Sequence, residues 1–210
     1  MAGVIKGVVY RSQLLTFVAA NVLVSWLAFQ GVDLMSGDWT SIMRNWAAAV
    51  PPSLGLLAIG AIGGVIDHNG KARIVFLRWK DPLPASRAFS QLLLTDTRID
   101  VARLRSKFGP FPEQPNGQNA LWYKLYKTIA DRAEVLHVHR DYLMNRDLAV
   151  LSLLSLIIAA PLALVAAPSP RAAMLLTLIF AAEYLLFRQA AAVYGRRLVT
   201  TVLAVKAAQR

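Results

Sequence analysis

Apolar and polar positions along this chain fall into long blocks. Two apolar stretches are followed by a long polar stretch, two more apolar stretches and a basic amphipathic end. The first apolar run, from about Leu14 to Leu34, is long enough for a hydrocarbon core of roughly 30 Å at a helical rise of about 1.5 Å per residue. A polar loop over 31–45 precedes the second run, from Trp46 to Ile66. Trp39 and Trp46 flank that run as interface aromatics do. Pro51 and Pro52 make its first turns irregular, because proline removes a backbone donor. The third run, Leu148 to Ala167, carries no charge and one proline, Pro161. After the short turn 168–171 the fourth begins at Ala172 and is apolar to Phe187, except for Glu183. The pattern predicts an all-α polytopic membrane protein, with four transmembrane helices in two hairpins and a helical cytosolic insert. Its divisions are 1–66, 67–147, 148–187 and a tail over 188–210.

Within the insert, residues 71–80 (KARIVFLRWK) fit a strand or an amphipathic helix at the headgroups, basic at both ends. Pro82 and Pro84 close it, and Ser86 is the expected N-cap of a helix through Leu94. Asp96 or Thr97 is expected to cap the next helix, and Gly109 to end it. The Pro- and Gly-rich 109–119 is a loop, and Asn119 is the expected cap of a helix carrying Leu121, Trp122, Leu125, Tyr126 and Ile129 on one side. That helix is expected to continue through His137 and Tyr142 into the third span. Beyond Phe187, Leu198, Val199, Val202 and Leu203 alternate helically with Arg196, Arg197 and Lys206, a basic amphipathic tail suited to an anionic leaflet or to packing against the insert.

Charge fixes the orientation. Of the 23 Lys and Arg residues, 14 lie in the insert and five in the tail from Arg188; only Arg44 and Arg171 fall on the opposite side. Basic residues near spans stay cytoplasmic, which places both termini and the insert in the cytosol at a bacterial inner membrane. The net charge of +11 is then a product of topology, and argues against nucleic acid as the partner. The composition, 56% hydrophobic with charge confined to a few blocks, excludes an ordinary soluble domain. The absence of cysteine excludes disulfides, thiolate metal sites and cysteine nucleophiles.

Glu183 is the one acid inside a span, and an intramembrane carboxylate serves as ion ligand, proton relay or gate. Near the end of its span it also has the simpler option of snorkelling or pairing with Arg188. Asn21 and Ser25 are polar groups that in lipid seek a neighbouring helix, and Gly60 and Gly64 stand in a small-xxx-small relation that admits close helix packing. On a helix Glu134, His137 and Asp141 share one face, a sensing or partner face suited to a divalent metal or to pH near neutrality, whose alternative is a solvated surface. His137 and His139 point apart. Trp122, Tyr123 and Tyr126, interleaved with Lys124 and Lys127, have the means to stack on bases and hold phosphates; as a partner face, the packed side of a cytosolic helical domain or an aromatic cuff near the headgroups they serve a commoner role. Arg188, Arg196, Arg197 and Lys206 are the basic residues expected at the membrane surface. No phosphate loop, nucleophile elbow or zinc pattern is present, so neither an enzyme nor a cofactor or metal protein is expected.

In span count, cytosolic insert and size, the layout resembles the small four-pass effectors and membrane subunits of bacterial phage-defence operons. That resemblance implies a cytosolic module that senses a signal and spans that assemble in the membrane. The residues themselves support a non-enzymatic, oligomerising membrane effector or signalling subunit, with the bilayer, further copies of itself and a cytosolic protein as partners. The alternatives are a passive anchor for a cytosolic partner and a small ion channel or transporter.

Overall fold

A computed structural model describes residues 2–29, 58, 60–167 and 169–209. The expected loop 31–45 and most of the second run, with Trp39, Trp46, Pro51 and Pro52, lie outside the described residues. The helices are α1 (Ala2–Phe29), α2 (His68–Phe76), α3 (Val101–Phe108), α4 (Pro115–Lys127), α5 (Ala133–Leu154), α6 (Ala160–Ala166) and α7 (Pro170–Ala208). There is no strand among the described residues. Two helical stretches, Ala133–Val165 and Pro170–Ala208, are long and apolar enough to cross a membrane; the apolar part of α1, Ser12–Ala28, is shorter.

The chain divides into an apolar unit, Met1–Asp67 with Asp147–Phe187, and a polar unit, His68–Arg146 with Arg188–Arg210. In the apolar unit, α1 runs antiparallel to the first part of α7. The Phe17 ring meets Phe187 edge-on at 5.4 Å, and Val24 and Ala28 pack on a cluster built from Ala160, Ala163, Ala173, Leu176 and Phe180. Alanine at three of those five positions lets helix backbones approach closely, as lipid-embedded packing requires. Leu14, Val18 and Val22 pack with Leu151, Leu154 and Ile158. Between α5 and α6 the helix widens to a π-turn, Ser155–Ala159, just ahead of Pro161, whose missing N–H breaks the regular ladder. Residues 60–65 are helical, and the close approach there is at Gly63, where a Cβ would sit 3.1 Å from Leu151 Cδ2; at Gly60 and Gly64 it would meet nothing within 4 Å. Leu162, Leu164, Val165, Met174, Leu175, Leu178, Leu185 and Leu186 face outward, an apolar surface suited to hydrocarbon.

The polar unit has its own core. Trp122, Leu125 and Ile129 of the α4 region, Val135, Val138 and Tyr142 of α5, and Leu198, Val199, Val202 and Leu203 of α7 pack together with Phe89, Leu92, Leu93, Ile99 and Leu104. Trp122 Nε1 donates to the Val199 carbonyl at 3.4 Å. The tail's amphipathic pattern is therefore satisfied by the insert: its apolar stripe is core, while Arg196 and Arg197 are exposed.

Four local expectations are corrected. Ser86 does not cap a helix: it is buried inside a 3₁₀ turn, Pro84–Arg87, and Leu92–Leu94 is a second such turn. The cap of α3 is Asp100, whose carboxylate accepts from Arg103 N at 2.9 Å, while Asp96 is engaged with Arg98. Asn119 lies inside α4, which starts at Pro115, a residue preorganised for a first turn. Finally, α4 and α5 are separate, because residues 128–132 turn. Gly109 does end α3, at φ 76°, a conformation that glycine adopts without a Cβ penalty. The stretch 71–80 is helical only to Phe76 and then turns sharply, with Leu77 at φ 51° and Asp81 at φ 48°.

Candidate functional site

The apolar unit contains one polar constellation. Asn21 and Ser25 stand one turn apart on α1, and both are buried. The Asn21 amide donates to its own helix at the Phe17 carbonyl, 3.1 Å away, and its side chain lies beside the Glu183 carboxylate of α7. Asn21 Oδ1, Glu183 Oε2 and the neighbouring Trp26 Nε1 are buried with no hydrogen-bond partner among the described residues. Buried polar atoms left in this state cost roughly 1–3 kcal/mol each. Sequence spacing alone does not join Asn21 to Glu183, since they are far apart in the chain; each is visible singly as a polar residue in an apolar run.

The polar unit contains a second. Tyr126 Oη and His139 Nδ1 are 2.9 Å apart, and the tyrosine ring meets the imidazole edge-on. Arg146, itself buried, donates to His68 Nδ1 at 3.0 Å and lies over the Tyr142 ring. A guanidinium only donates, so His68 accepts and is neutral. Burial first, and then the Arg146 charge, hold His139 below its ordinary imidazole value. Burial likewise pushes the Tyr126 phenol up. These pairs tie α2, α4 and α5 together with neutral imidazoles. His139, which sequence reasoning passed over, is joined to Tyr126 across the 128–132 turn.

The residues singled out as a sensing face separate into distinct environments. Trp122 is core, stacked on Tyr126 at 5.4 Å, so it offers no free ring face for a base. Tyr123 is exposed, with Lys127 over its ring. His137 Nε2 lies 3.4 Å from Asp141 Oδ2 on the solvated side of α5, and Glu134 is exposed. No group of three metal-ligating side chains occurs among the described residues. Arg188 opens the polar-unit part of α7 with its Nε buried, and Lys206 donates to Gln209 Oε1 at 2.9 Å.

Gln118, fully buried on α4, is a polar residue that the sequence gives no reason to single out. Its Oε1 accepts from Phe89 N at 3.0 Å and from Ser90 N and Oγ at 3.1 Å, and its Nε2 donates to the Glu113 carbonyl at 2.9 Å. One side chain thus clamps the 84–94 turns to the loop before α4. Beside it the stacked Phe89 and Phe111 rings, 4.7 Å apart, border an open groove of about 630 Å³ with Arg105, Pro110 and Glu113. Compared with protein-family models, curated proteins and solved structures, the chain matches none.

Proposed function

We propose that this chain is a four-pass protein of a bacterial inner membrane, with both termini and the polar unit in the cytosol. In this reading it is a non-enzymatic, oligomerising effector or signalling subunit. The polar unit receives a cytosolic input, from a protein partner or a signal of the kind the phage-defence resemblance implies, and the spans respond by repacking. The observation that carries the reading is that Asn21 Oδ1 and Glu183 Oε2 are buried without a partner among the described residues. In hydrocarbon such atoms are satisfied most readily by polar groups of another helix, and a further copy of the chain brings the same groups.

The test is the mass of the detergent-solubilised protein, corrected for bound detergent, for the native chain and for an Asn21→Val, Glu183→Gln double variant. A defined homo-oligomer that dissociates in the variant supports the reading. A monomer in both forms overturns it and leaves the anchor alternative. The same carboxylate favours a second reading, an ion or proton path, because intramembrane acids mark such paths. Flux through liposomes that Glu183→Gln abolishes, with assembly intact, selects the channel.

A further inference from the structure

The open groove beside Gln118 has walls that the fold fixes in advance. Phe89 and Ser90 line it from the 84–94 turns, and residues 109–113 line it from the loop before α4. Gln118 bonds to both at once, accepting from Phe89 N and Ser90 N and donating to the Glu113 carbonyl. Gly117 seats the loop on α4, since a Cβ there would stand 2.9 Å from Pro112 Cβ. Pro112 in turn favours extended backbone at Phe111, the residue before it. Walls set before anything enters lower the ordering cost of binding.

Within those walls the chain leaves polar groups unused. Arg105 and Glu113 both line the groove, yet neither side chain makes an ion pair or hydrogen bond among the described residues. The Arg105 guanidinium rests 5.7 Å from the Phe111 ring centroid, a contact with a ring face that leaves its N–H donors available. The main chain is open too. Phe111 N–H and C=O, and the carbonyls of Pro110 and Pro112, make no hydrogen bond among the described residues. With these groups the groove carries the stacked rings of Phe89 and Phe111.

The combination selects an occupant. A small ligand buries most of its surface in its site, and a groove of about 630 Å³ that lies open to solvent does not enclose one. An extended peptide needs no enclosure, because its main chain bonds to exposed backbone and its side chains fill what lies alongside. Apolar rings accompanied by one unpaired cation and one unpaired anion match a segment with an acid and a base around apolar residues.

We propose that the groove docks an extended peptide segment of a cytosolic protein. The segment lays its main chain on Phe111 and its apolar side chains on Phe89 and Phe111, with an acidic side chain on Arg105 and a basic one on Glu113. This names the partner in the reading above and rests on that reading for placing the groove in the cytosol.

The experiment uses the full chain in detergent and an array of acetylated, amidated heptapeptides. Each carries one aspartate and one lysine around three residues varied among leucine, valine, phenylalanine and proline. The best binder is then titrated by fluorescence polarisation beside its aspartate-to-asparagine and lysine-to-glutamine counterparts. On the native chain the loss of aspartate should weaken binding about fivefold, as for one solvent-bordered ion pair, and on Arg105→Gln that difference should vanish. The loss of lysine should behave likewise against Glu113→Gln. Arg103→Gln, on the same helix but outside the groove, should leave all three affinities unchanged. No binder in the array, an asparagine effect that survives in Arg105→Gln, or equal losses in the Arg103 and Arg105 variants overturns the site. Free aspartate or leucine competing as well as the peptide assigns the groove to a small molecule and overturns it. Dissociation of the homo-oligomer in Arg105→Gln assigns it to a second copy and does the same.

Placement is read separately. Ser106→Cys puts a single exposed thiol on α3 of a chain that has no cysteine. Labelling of intact cells by an impermeant maleimide, with peptide binding retained, defeats the cytosolic reading alone. Protection from that reagent without peptide binding defeats the site alone.

Discussion

Gly195 lies directly beneath Phe76: a Cβ at Gly195 would stand 2.7 Å from Phe76 Cζ and 3.0 Å from Tyr142 Cε2. This close approach, which glycine makes possible, locks α7 against α2 and α5. Gly195→Ala gains about 1 kcal/mol of helix propensity but forces two packed rings to move, which costs about 1–3 kcal/mol. The expected net is destabilisation of the polar unit, read by hydrogen exchange on α2. Adding Phe76→Leu should recover most of the loss, and no recovery would mean that the contact is not the cause.

Gln118→Ala removes the acceptor for two backbone N–H groups. Phe89 is buried and its N–H is left without a partner, while Ser90 is exposed and turns to water. The expected cost is about 2 kcal/mol, with protease cleavage in the 84–94 turns as the visible consequence. Unchanged cleavage would show that the clamp is dispensable.

Acid should loosen the polar unit near its histidine pairs. His139 has its value depressed below the ordinary 6.5, so the unfolded chain takes up a proton before the folded one does. The stabilisation is fully present above about pH 6.5 and is lost as pH falls toward the folded value. Denaturation midpoints between pH 7.5 and 5, on the order of the range where imidazole titrates, should fall in the native chain and stay flatter in His139→Gln. Parallel curves would remove His139 as the cause.

Truncation before Arg196 deletes Leu198, Val199, Val202 and Leu203 from the core. Burial of each stabilises by about 1.5–3 kcal/mol, together as much as a whole domain's net stability of about 5–15 kcal/mol. The insert should then lose its protection from proteases while the apolar unit, which shares none of these residues, keeps its own. An insert that remains protected would show that it folds without the tail.

Helical character was legible from apolar runs and from the four-residue recurrence that puts Leu121, Trp122, Leu125 and Ile129 on one side. Gly109 was legible because the residue type itself reports a left-handed position. The misreadings share a cause: Ser86, Asp96 and Asn119 are good capping types, and capping type alone does not say which candidate the chain uses when Asp100 and Pro115 compete. Gln118 was not legible, since glutamine in a helix reads as surface until its partners at Phe89 and Ser90 are seen. Gly63 displaced the Gly60/Gly64 pair as the intramolecular close approach because spacing gives a motif but no facing helix. Asn21 and Glu183, like Tyr126 and His139, needed the fold to become pairs.

The polar unit draws its core from both sides of the second apolar hairpin, and this orders events during synthesis. Residues 68–146 leave the ribosome before 188–208, so the insert has to wait, its apolar face uncovered, until the segment between them has been made. Completion of the polar unit thereby requires that Leu148–Phe187 has already been synthesised. A chain that stops short of Arg188 would present an unfinished domain to proteases, so the polar unit is itself a check that synthesis has run to its end.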